Sequence, residues 1–189
     1  MTKSILLVGV GGQGTILASK VLTTGLLAAG YDVKMSEIHG MSQRGGSVSS
    51  HVRYGEDVQS PVIDQGGADI LIAFEKVEAM RWISYLKPDG KLVVNDEEIP
   101  SLSVIIGDQD YPENVLPRLE AAVSTRVVPA AKMAAELGNS RVANIILLGT
   151  IVKLMDLTHI DWETILKQNI KPQFVEINLQ AFQKGMESV

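Results

Sequence analysis

Two short stretches hold the residue types able to do chemistry. The first, "GVGGQG", places Gly9, Gly11 and Gly14 in a G-x-G-x-x-G pattern. Glycines at this spacing allow a tight turn and bring backbone N–H groups, with a helix N-terminus behind them, up to an anion such as a pyrophosphate. The second, "SEIHGMSQRGGSVSSHVRYG", sets Glu37, His39, Gln43, Arg44 and the Gly45-Gly46 pair before an alternating run that carries His51. Glu37 falls roughly 20 residues past the last glycine, where an acid accepts from ribose hydroxyls in dinucleotide sites. Arg44 with Gly45 and Gly46 offers a guanidinium fork and open backbone donors to a carboxylate, a phosphate or a partner chain. His39 and His51 are candidate metal ligands only in isolation, because the chain has no Cys and no helical His-x-x-x-His spacing. No metal site is expected. A plainer reading stands beside each motif: glycines that only pack a helix on a strand, and a solvated turn at Arg44–Gly46.

These residues need a frame that brings them together. "SILLVGV" is a continuous apolar run ending at a glycine, the pattern of a strand buried on both faces. "GQGTILASKVLTTGLLAAG" follows at helical spacing, with Gly30 as its stop, and "YDVKMSEI" reads as a second strand completing a strand-helix-strand unit. "GSVSSHVRYG" and "DVQSPVI" alternate on either side of "YGED" and are expected to pair as a β-hairpin. Further on, "ADILIAF", "GKLVVND", "LSVIIGD" and "STRVVPA" read as strands, and "KVEAMRWISYL" and "AAKMAAELG" as helices, the latter opened by Pro129. Three more helices fill residues 139–189, with Asp161 as an N-cap and Pro172 at a helix start. The alternation predicts one α/β domain over residues 1–189: a three-layer, Rossmann-like arrangement around a mainly parallel sheet, with a hairpin insertion and C-terminal helices packed on it. In such sheets ligands collect beyond the carboxyl ends of the strands. The glycine loop and the loop after "YDVKMSE" should emerge there together.

Composition removes several function classes. The chain has 189 residues, 46% of them hydrophobic, a formal charge of −5 and no cysteine. That excludes thiolate catalysis, disulfides and cysteine-held iron–sulfur clusters from this chain. Scattered Lys and Arg leave no basic footprint for nucleic acid, no apolar run approaches the ~20 residues of a membrane helix, and the expected location is the cytoplasm. "PDGK" is the nearest approach to a thiamine diphosphate motif, and no paired asparagines follow it. A hydride-transfer enzyme would need a substrate domain that the chain does not offer. A stand-alone dinucleotide-binding regulator stays open on the glycine motif. An adenylating enzyme of the ubiquitin-activating type shares the glycines, but its second strand ends in an aspartate-rich run where this one ends "SEIHGM".

Taken with "GNSRVANIILLGTIVKL", the stretches "VGVGGQGTILASKVL" and "SEIHGMSQRGGSVSSHVRYG" resemble the gamma-type domain of the 2-oxoacid:ferredoxin oxidoreductases, nearest to the indolepyruvate branch. The resemblance spans almost the whole chain. It implies a subunit, inactive alone, of a complex that converts arylpyruvates, coenzyme A and oxidised ferredoxin to arylacetyl-CoA, carbon dioxide and reduced ferredoxin. Thiamine diphosphate and [4Fe–4S] clusters would sit in a large alpha subunit, and ferredoxin would be met through the complex. It further implies that Gly9, Gly11, Gly12, Gln13, Gly14 and Thr15 hold the pyrophosphate of coenzyme A. Glu37, His39 and Arg44 would support the reacting centre, with Gln43, Gly45 and Gly46 shaping the loop that faces the partner.

Overall fold

The computed structural model describes residues 2–39 and 45–189. Along the chain run β1 (Lys3–Val10), α1 (Thr15–Ala28), β2 (Asp32–His39), β3 (Ser47–Gly55), β4 (Ala68–Ala73), α2 (Lys76–Trp82), β5 (Leu86–Asn95), α3 (Leu102–Ile105), α4 (Val115–Ala122), β6 (Thr125–Val128), α5 (Ala130–Glu136), α6 (Ala143–Leu154), α7 (Trp162–Asn169) and α8 (Val175–Glu187). Among the described residues the strands form one sheet in the order β2-β3-β1-β4-β5-β6. The β1–β4, β4–β5 and β5–β6 pairs are parallel, while β3 is antiparallel to both of its neighbours. This is the three-layer, mainly parallel α/β arrangement that the alternation predicts.

Strand pleating divides the core in two. Ile5, Leu7, Ile70, Ile72 and Val93 face one side, against α1 and the α5–α8 group. Leu6, Val8, Leu71, Ala73, Leu92 and Val94 face the other, against α2 and α4. Successive residues of β1 alternate between the two cores, which is why its sequence is apolar without a break. Full burial of each such Leu or Ile contributes about 1.5–3 kcal/mol. α6 is buried along almost its whole length, Asn144 through Val152, with α8 laid on it. Asp161 caps α7 by accepting from Thr164 N–H at 3.1 Å. Among the described residues no helix is long and apolar enough to cross a membrane.

Two local expectations fail for physical reasons. The hairpin partner of β3 is β2, not "DVQSPVI": both edges of β3 are taken, by β1 and β2, so residues 57–63 have no ladder to join. Pro61 also lacks the donor that a paired strand needs. The segment crosses β3 as irregular chain, with Arg53 Nη1 donating to Ser60 O at 3.0 Å. Nor is "LSVIIGD" a strand. Its Leu102–Ile105 portion is a short helix, and Ile105 and Ile106 stand exposed. β5 is already flanked by β4 and β6, and a short apolar run cannot by its pattern distinguish strand from helix. α4 went unread at the sequence level, because "ENVLPRLEAAV" carries a proline inside its helical pattern.

Candidate functional site

The glycine loop is folded chiefly by one side chain, that of Gln13. Its Oε1 accepts from Val10 N–H at 2.8 Å, and its Nε2 donates to Phe74 O at 2.8 Å and Glu97 Oε2 at 3.0 Å. Asn95, fully buried at the end of β5, donates to the same Phe74 O and Glu97 Oε2, and its Oδ1 accepts from Ala131 N–H. The carboxyl ends of β1, β4 and β5 and the start of α5 are thereby tied into one polar network, which holds the loop in a single shape. The chain returning from β2 joins it too. Gly11 N–H donates to Gly46 O at 2.8 Å, and Gly45 N–H to Gly11 O at 3.4 Å. The two loops do share one edge.

Above this network lies a cleft of about 730 Å³ floored by Gly11–Gly14. Asn95 and Glu97 form one wall, Ser140 and Arg141 the other. α1 and α6, 14 and 12 residues long, both begin beside it, and neither has a side-chain cap or an acid in its first turn. The N-terminus of α1 leaves backbone donors unsatisfied and carries roughly half a positive charge, while α6 runs on from the turn Ser140–Val142, whose start Asn139 caps by accepting from Arg141 N–H at 3.0 Å, and directs the positive end of its dipole the same way. Arg141 adds a full positive charge, and among the described residues no carboxylate pairs with it. The arrangement is built to receive an anion. Glu97 is the one acid among the described lining residues, and its Oε2 is engaged by Gln13 and Asn95.

The glycines divide into different tasks. Gly12 has φ +110, and a Cβ built there meets nothing within 4 Å. Gly14 caps α1 at φ +81, and a Cβ there would lie 2.6 Å from Asn144 Nδ2. That same Nδ2 donates to Gly14 O at 3.1 Å, joining the starts of α1 and α6. Gly9 passes so close to Phe74 and Gln13 that a Cβ would stand 2.9 Å from each. Thr15 is buried beneath the loop.

The other expected site residues are spread more widely. Glu37 is half-buried on β2, two strands from β1, where it accepts from Ser19 Oγ of α1 at 3.0 Å, outside the lining of the cleft. His39 ends β2 opposite Val48 and is exposed. Gln43 and Arg44 lie outside the described residues. His51 is buried on β3 with its ring edge-on to the adjacent rings of Trp82 and Tyr85, and its Nδ1 accepts from Ile63 N–H at 3.1 Å. Among the described residues no three His, Cys, Asp or Glu stand close enough to hold a metal. Sequence reading passed over Asn95, Glu97, Arg141 and Asn144. The traces were a lone Asn opening the apolar run "NIILLG" and a polar "NSR" just before it.

Burial holds the His51 imidazole below its ordinary pKa, so the folded protein keeps it neutral while the unfolded chain takes up a proton near pH 6.5. The unfolded state then binds more protons in the window below about pH 6.5, and stability falls as pH drops through it, by at most about 1.4 kcal/mol per pH unit. The urea midpoint of the wild type is expected to fall more between pH 7.5 and pH 5.5 than that of His51→Gln, which keeps an acceptor for Ile63 N–H. Equal losses in the two proteins would contradict this role for His51.

Comparison with known proteins places this geometry in a wider set. The family described as pyruvate ferredoxin/flavodoxin oxidoreductase matches residues 4–188. The indolepyruvate oxidoreductase subunit IorB of Pyrococcus horikoshii is 35% identical over 98% of this chain and 95% of its own length, and that of Archaeoglobus fulgidus is 35% identical over 98% and 94%. Among solved structures, the gamma subunit of a keto/oxoacid ferredoxin oxidoreductase from Geobacter sulfurreducens superposes with a TM-score of 0.72 at 25% identity, covering 98% of this chain and 97% of that one. A 2-oxoglutarate:ferredoxin oxidoreductase from Magnetococcus marinus, solved with 2-oxoglutarate, coenzyme A and succinyl-CoA bound, shares the fold with a TM-score of 0.77 at 19% identity, over 99% of this chain and 31% of that one.

Proposed function

Since the chain belongs to the pyruvate ferredoxin/flavodoxin oxidoreductase family, we propose that it is the coenzyme A-binding, cluster-free subunit of an indolepyruvate:ferredoxin oxidoreductase. The reaction takes an arylpyruvate, coenzyme A and two oxidised ferredoxins to the arylacetyl-CoA, carbon dioxide, two reduced ferredoxins and a proton. A large alpha subunit supplies thiamine diphosphate for the decarboxylation and [4Fe–4S] clusters for the two electrons, since this chain has no cysteine to hold a cluster. The indolepyruvate assignment is supported by the archaeal relatives that share 35% of its residues.

This chain's share is to bind and orient. The observation that carries the reading is the convergence of the uncapped N-terminus of α1, the start of α6 and Arg141 on the glycine floor. A pyrophosphate there accepts from the backbone around Gly12–Thr15 and from the Arg141 fork. Gln13 contributes by shaping the loop, and its side chain is spent on Val10, Phe74 and Glu97. Glu97 on the opposite wall repels phosphate, which biases the anion toward Arg141. The partner is expected to meet this chain where β2 ends, with His39, Gln43 and Arg44 lending polar groups near the reacting centre, while Glu37 is taken up by Ser19.

The test is recombination. With indolepyruvate, coenzyme A and a viologen acceptor, neither purified chain is expected to turn over alone, and mixing the two restores acceptor reduction. Turnover by this chain alone would overturn the division of labour.

A further inference from the structure

The two ends of the sheet are finished differently. β6 is an edge of four residues that carries Arg126, whereas β2 runs for eight residues in unbroken register with β3, and among the described residues no strand lies on its outer side. Long open edges invite another chain, and proteins that stay single blunt them with charge, proline or a bulge. β2 has no proline and no bulge, and its charges are spent within the protein: Lys34 is drawn back onto Asp32, and Glu37 accepts from Ser19 of α1. Met35 stands 37% exposed beside them. The helix next to this edge is unfinished in the same place. Ile16 and Leu27 of α1, three turns apart and so on one face, are each 54% exposed, and Thr23 of that face meets Met35, its Oγ1 donating to the sulfur at 3.4 Å.

Strand and helix share one centre. The part of α1 midway between Ile16 and Leu27 is the part whose Ser19 and Thr23 touch Glu37 and Met35, so a two-fold axis drawn through Met35, normal to the sheet, also passes the middle of the exposed helix face. We propose that this edge is an isologous interface with a second copy of the chain. An antiparallel pair of β2 strands centred on Met35 sets Met35 against its own twin, Val33 against Glu37, Lys34 against Ser36 and Asp32 against Ile38, with no like charges opposed. α1 lies across β3 and β2, so its twin comes alongside at about 10 Å, the spacing of packed helices. Ile16 of each copy then meets Leu27 of the other, and the two six-stranded sheets become one. A different chain would gain nothing from the shared centre; a second copy requires it.

The chain has no cysteine, so single cysteines can report this geometry. In sedimentation equilibrium the purified chain is expected at twice its mass of 20.4 kDa, and Leu27→Glu, which puts a charge into the contact without touching the core, should raise the dissociation constant of the dimer at least about tenfold. With a short bismaleimide, Met35→Cys should cross-link to itself, both in the free chain and in the reconstituted complex. Leu27→Cys alone should not, because its twin lies about 16 Å away, but it should cross-link when mixed with Ile16→Cys. A chain of single mass in which Met35→Cys does not cross-link would overturn the proposal, as would a dimer whose Met35→Cys copies fail to join. Met35→Cys that reacts with a maleimide in the free chain, yet is shielded in the complex without cross-linking, would assign this edge to the large subunit and exclude the second copy.

Discussion

Gly14→Val is expected to lower stability by about 3–5 kcal/mol, or roughly 6–20 °C in melting temperature for a chain of this size. Two costs combine. A β-branched residue at φ +81 is strained by itself. Its Cβ would also stand 2.6 Å from Asn144 Nδ2, so the amide must leave Gly14 O and the joint between α1 and α6 opens. The second cost is separable by a double-mutant cycle. With Gly14→Ala and Asn144→Ala combined, the clash disappears, and the pair should be less destabilised than the sum of the single variants. Strict additivity would mean that the two residues do not act as a joint. Phosphate binding at the loop should weaken together with stability, since both helix starts would move.

Much of this architecture was legible because local pattern and long-range packing agree. The unbroken apolar β1, the glycine turn after it and the N-cap at Asp161 each state their structure within a few residues. β3 shows where that ends: its alternation marks a strand, but nothing nearby says that it inserts between β1 and β2 and so leaves residues 57–63 without an edge. The site divides in the same way. Its glycines announce an anion loop, yet what holds them is distant: Gln13 reaches partners 61 and 84 residues away, and Asn144 reaches Gly14 across 130. The spacing of Glu37 from the glycines suits a ribose-binding acid only where β2 adjoins β1. The inserted β3 carries it two strands away, to Ser19. Arg141 has no motif of its own, and its meaning comes from the two helix starts beside it.

The second large effect is expected at Gly12, and it bears on the central claim that this chain supplies the coenzyme A cleft. A side chain there meets no protein atom within 4 Å, so the cost to folding is the strain of φ +110, about 1–3 kcal/mol. That is small enough for the subunit to fold and assemble. The cost to binding is larger in kind, because valine stands in the space where a phosphate must approach the backbone donors. The direct measurement is the apparent Michaelis constant of the reconstituted complex for each substrate, wild type against Gly12→Val. The account expects the constant for coenzyme A to rise at least about tenfold, some 1.4 kcal/mol, while that for the oxoacid stays within about twofold. Equal rises for both substrates, or an unchanged constant for coenzyme A in a complex that assembles normally, would contradict it.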